Sequence, residues 1–75
     1  MYTPTTLAQE ATLVYDLRCK PTTFSIPLQD NLLVLIEDCN DELAIENIPY
    51  EVSYQSQDPS DPTLVVLLVR DFHVD

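Results

Sequence analysis

The chain has 75 residues, with thirteen Asp and Glu against three Lys and Arg, for a formal net charge of −10. Its 45% hydrophobic content argues against unaided disorder, and its length fits a single small domain, residues 1–75. Composition excludes collagen, coiled coil and disulfide mini-scaffold, and no apolar run reaches the ~18 residues that span a bilayer.

Thr3-Pro4 followed by Leu7, Ala8 and Ala11 predicts a short helix, with Thr3 as its cap and Pro4 at the first helical position. From Leu13 the odd positions Leu13, Tyr15, Leu17 and Cys19 alternate with Asp16, Arg18 and Lys20, Val14 being the exception. That period predicts a half-buried strand, with Cys19 as a core thiol. Lys20-Pro21-Thr22-Thr23 reads as a turn. Phe24, Ile26 and Leu28 alternate with Ser25 and Pro27, and Pro27 makes this an edge strand. The two segments could pair as a hairpin.

Gln29-Asp30-Asn31 is a break, followed by the apolar run Leu32–Ile36. Five residues do not separate helix from strand by period. Asp30 would cap a helix, but Glu37 and Asp38 would then stand near the wrong end of its dipole, which favours strand. Asn40–Asn47 predicts a short helix with Asn40 as N-cap, stopped by Pro49. Tyr50, Val52 and Tyr54 alternate with polar residues and give the cleanest strand signal. Gln57–Pro62 is a loop. The Val-rich run Leu64–Val69 predicts a central strand buried on both faces.

The predicted fold class is α+β or all-β, with about five mainly antiparallel strands and one or two short helices. Average usage would give roughly five glycines, and the chain has none. Turns must therefore use Asn, Asp, Pro, Ser or Thr, in loops longer than tight two-residue hairpins. The same absence removes the P-loop, the dinucleotide turn, the nucleophile elbow and the EF-hand, each of which needs Gly at a backbone bend or ligand contact.

The remaining chemistry is thin. His73 is the only imidazole, and on an extended strand Asp71, His73 and Asp75 would share a face. A terminal, solvated tail is the plainer account than a metal site, so no metal or cofactor is expected. A Cys–His dyad from Cys19 or Cys39 is disfavoured, because the acidic neighbours of Cys39 raise a thiol pKa. Met1-Tyr2-Thr3-Pro4 lacks the basic and apolar regions of a signal peptide, so cytoplasm with reduced thiols is the expected compartment.

Charge is the informative feature. Glu37, Asp38, Asp41, Glu42 and Glu46 put five carboxylates in ten residues, and no Lys or Arg occurs from Pro21 to Val69. A solvated face serving solubility is one account. The functional account is a noncatalytic inhibitor, adaptor or regulator that docks those five residues on a basic protein surface. Direct nucleic-acid binding and anionic membranes are disfavoured by the same charge. Nucleic-acid mimicry is a sharper version, in which carboxylates on alternate strand residues approximate a phosphate row. A homodimer, built by edge pairing of Leu32–Ile36 and Leu64–Val69, is the alternative. A small enzyme is the least favoured.

Overall fold

The computed structural model describes residues 2–71. Two helices and three strands follow in the order α1 (Pro4–Arg18), β1 (Thr22–Pro27), α2 (Leu32–Ile45), β2 (Tyr50–Gln57) and β3 (Leu64–Asp71). The class is α+β, with three strands rather than five. Sheet order is β1-β3-β2, and β3 runs antiparallel to both neighbours. The connection β1–α2–β2 thus links two parallel strands whose gap is filled later by β3, a split β-α-β arrangement.

α1 begins where its sequence signals place it. Thr3 is extended and its Oγ1 accepts from the Thr6 amide at 3.2 Å, while Thr6 Oγ1 accepts from the Thr3 amide at 2.7 Å. This reciprocal capping box satisfies two donors at the helix start. The helix then runs through the segment expected as a strand. Buried Leu7, Ala8 and Ala11 and half-buried Val14 and Tyr15 recur at i, i+1, i+4, i+7 and i+8, a helical period. The period-2 pattern from Leu13 is a coincidence on an exposed helix face, so the expected hairpin does not form. Cys19 ends α1 in the left-handed region, its amide donating to Tyr15 O at 2.7 Å. It is exposed, not a core thiol.

α2 merges the run expected as a strand with the short helix expected after it. Leu32, Leu35, Ile36, Cys39 and Leu43 recur at helical spacing and form its inner stripe. The helix is long enough that Glu37 and Asp38 fall in its middle, away from either dipole end. Its N-cap is Asn31 rather than Asp30, and Asn40 is an interior residue. Cys39, expected beside exposed acids, is fully buried.

Register assigns the sheet faces. Ile26, Val52, Val65, Leu67 and Val69 share one face and join the helical stripes in a single buried cluster. Leu64, Val66 and Leu68 lie on the opposite face and are only half-buried. β3 is central as expected, but it is buried on one face because both helices contribute to the same side of the sheet. β1 is an edge strand ending at Pro27, also as expected.

Backbone positions that glycine usually fills are taken by Cys19, Asn31 and Asn47, all at positive φ. Asn tolerates this conformation, because its short amide side chain adds little clash there. Asp58 and Asp61 shape the β2–β3 loop, accepting from the Ser60 and Thr63 amides at 2.8 and 2.9 Å. Such Asx turns replace glycine chemistry.

Candidate acidic groove

Helical geometry divides the five sequence-predicted residues between two surfaces. Glu37, Asp38 and Asp41 are exposed on the outer side of α2, opposite the buried stripe. Glu42 and Glu46 lie on its flank, where they line a groove shared with α1. The five are therefore spread over the outer side and one flank of α2 and its C-cap, not along a row on strands, and only Glu42 and Glu46 belong to the groove. The strand spacing that motivated phosphate mimicry does not apply to them.

The groove has a volume of about 420 Å³. Its α1 wall is formed by Thr5, Ala8, Gln9, Thr12, Leu13 and Asp16, which share one helix face. Leu43 and Ile48 complete an apolar floor. Asp16, Glu42 and Glu46 give it three carboxylates, and no cation lines it. Thr5 Oγ1 donates to Glu42 Oε1 at 2.9 Å, and Tyr50 Oη donates to Asp16 Oδ1 at 2.7 Å. Tyr50 is braced by Tyr15, their ring centroids 4.3 Å apart. Neutral donors thus fix one oxygen of Asp16 and one of Glu42 and leave the charge uncompensated.

The electrostatics are one-sided. The only ion pair among the described residues joins Arg70 Nη2 to Glu51 Oε1 at 2.9 Å, on the sheet. None of the five α2 acids has a cationic partner there. Their spacing opposes the helix. Glu37 and Asp41, Asp38 and Glu42, and Glu42 and Glu46 are like charges at i, i+4, each destabilising by about 0.2–0.5 kcal/mol. The first turn holds no acid and the last turn no base, so Glu42 and Glu46 also face the unfavourable end of the dipole.

Burial, and then Glu42, push the Cys39 thiol up to about 12, which keeps it protonated. Cys19 and Cys39 are both free, one exposed and one buried. Among the described residues no group of three or more His, Cys, Asp or Glu could hold a metal ion. The His73 and Asp75 of the expected acidic face lie outside the described residues. No described helix is long and apolar enough to cross a membrane.

Sequence reasoning missed Asp16, Leu13 and Ile48 as parts of the site. The spacing of Leu7, Ala8, Ala11, Val14 and Tyr15 was the available signal, since a helix through position 16 brings Asp16 onto the face of Thr5 and Thr12. The chain matches no family model, no curated protein and no solved structure.

Proposed function

We propose that this is a noncatalytic docking protein, an inhibitor, adaptor or regulator, whose acidic α2 flank binds a basic surface on a partner protein. The observation that carries the reading is that five carboxylates on one short helix have no cation among the described residues and sit where they weaken that helix. A face serving solubility alone has no need of this placement, because charge scattered over the sheet and loops would serve equally. Stability lost at a site that functions is a recurring trade in proteins. A cationic partner would relieve the repulsion, and the local field would steer its approach.

A dimer formed by edge pairing of Leu32–Ile36 and Leu64–Val69 lacks its edges, since the first segment is helical and the second lies between two strands. One exposed and one buried free thiol suit a reducing compartment, and we assign the cytoplasm as the place of docking.

The test is capture from the native lysate with tagged wild type and with a variant carrying Glu37→Gln, Asp38→Asn, Asp41→Asn, Glu42→Gln and Glu46→Gln. Basic proteins held by the wild type at about 50 mM salt and released by about 500 mM should be missing from the variant. Identical captures by both proteins would remove the reading.

A further inference from the structure

We propose that the groove between α1 and α2 seats a cationic amphipathic helix of the partner. This rests on the docking reading above and names the element that makes the contact.

Shape comes first. The α1 wall runs from Thr5 to Asp16 at i, i+3, i+4, i+7, i+8 and i+11. The trough therefore follows α1 for three turns, about 16 Å. α1 forms one wall along its length, and the last turn of α2 with Glu46 and Ile48 beyond it forms the other, a trough that admits the side-chain ridge of a further helix. Ala8 and Thr12 are small enough to let such a ridge approach.

The lining then selects the occupant. Leu13 is 58% exposed on the lip, and Leu17, one turn further along α1, is 76% exposed. Covering them calls for apolar anchors. Asp16, Glu42 and Glu46 call for cations beside those anchors. An uncharged ligand would bury carboxylates without a balancing cation, which is costly. A purely cationic ligand would leave Leu13 and the floor wet. A helix with an apolar ridge flanked by Lys or Arg meets both demands. One oxygen of Asp16 and one of Glu42 are already fixed by Tyr50 and Thr5, so the carboxylates need little reordering.

A second copy of this chain does not fit. Its three cations are Arg18, Lys20 and Arg70, and Arg70 is engaged with Glu51. Neither of its helices carries a basic stripe, and its net charge opposes approach.

The probe is a fluorescein-labelled peptide with Leu at i, i+3, i+4 and i+7 and Lys on both flanks. A scrambled peptide of the same composition is the control, and binding is read by anisotropy. The patterned peptide should bind wild type at least about tenfold tighter than the scrambled one. Leu13→Asp should remove at least that factor, while Leu33→Asp, at a 71% exposed position outside the groove, should leave affinity unchanged. Circular dichroism confirms that both variants fold. Equal binding of the two peptides, or wild-type affinity in Leu13→Asp, overturns the groove proposal. In that case salt-sensitive binding that still falls in the neutralised α2 variant leaves the docking reading standing. Failure of the wild type to bind either peptide overturns both.

Discussion

The Asn40 side chain pairs with both backbone groups of Val52. Its Nδ2 donates to Val52 O at 2.9 Å and its Oδ1 accepts from Val52 N at 2.8 Å. β2 is an edge strand, and an edge residue offers its unpaired amide and carbonyl to any passing strand. Asn40 occupies them in place of a neighbouring strand, and so ties α2 to the sheet and blunts the edge together. The bulge between Tyr54 and Ser56 distorts the rest of that edge.

Asn40→Ala should therefore destabilise by about 1–3 kcal/mol, since it strands two backbone groups as well as losing two hydrogen bonds. It should also promote self-association. Urea denaturation gives the first effect and sedimentation over a range of concentrations the second. A variant as stable and as dispersed as wild type would show the clamp to be idle.

The capping box predicts a graded response at Thr3. Thr3→Ala should cost about 0.5–2 kcal/mol, and Thr3→Ser should cost little because it keeps the accepting oxygen. Thermal melts of the two variants decide this.

Neutralising α2 should strengthen the fold. Glu46→Lys places a cation at the helix C-cap and should gain about 0.3–1 kcal/mol at low salt, fading as salt is added. Glu42→Gln removes two like-charge contacts at once and should raise the melting temperature more than Glu37→Gln, which removes one. A lower melting temperature in all three would mean that the acids support the helix.

Alkaline pH should unfold the protein through two groups. The Cys39 thiol is pushed up from 9.0 to about 12, chiefly by burial. The Tyr50 hydroxyl rises from 10.0 to about 12, chiefly through its hydrogen bond to Asp16. Both hold their protons more tightly folded than unfolded. Their contribution is whole below pH 9 and is lost as pH rises from there through about 12. Urea midpoints should fall across that window, and Cys39→Ala combined with Tyr50→Phe should flatten the fall. In the native protein iodoacetamide should modify Cys19 and spare Cys39.

The sheet was more legible in the sequence than the helices. Tyr50, Val52 and Tyr54 alternate because one face of β2 meets the core, and in Leu64–Val69 the residues Val65, Leu67 and Val69 face the core while Leu64, Val66 and Leu68 are half-buried on the opposite face. Pro27 marked the edge for the plain reason that it lacks a donor. The start of α1 was equally open, written in Thr3 and Pro4.

What misled was competition between periods. Leu13 and Leu17 are apolar yet exposed, so they lend α1 a false strand pattern. In α2 the apolar run was read apart from Cys39 and Leu43, because charge at Glu37 and Asp38 looked like a boundary. The dipole term is worth a few tenths of a kcal/mol and the buried stripe several, so the stripe decides for helix. The acidic surface was found from composition, whereas its α1 wall depended on a helix that the alternation concealed.

Location of charge, as distinct from its amount, is what the docking account depends on. The direct measurement uses a variant in which the groove acids are neutralised by Glu42→Gln and Glu46→Gln and balanced by Thr23→Glu and Ser56→Asp, both at exposed positions, so that net charge stays at −10. Captured from lysate beside wild type at low salt, this variant should lose the basic partner. Retention of that partner at wild-type levels would contradict the account.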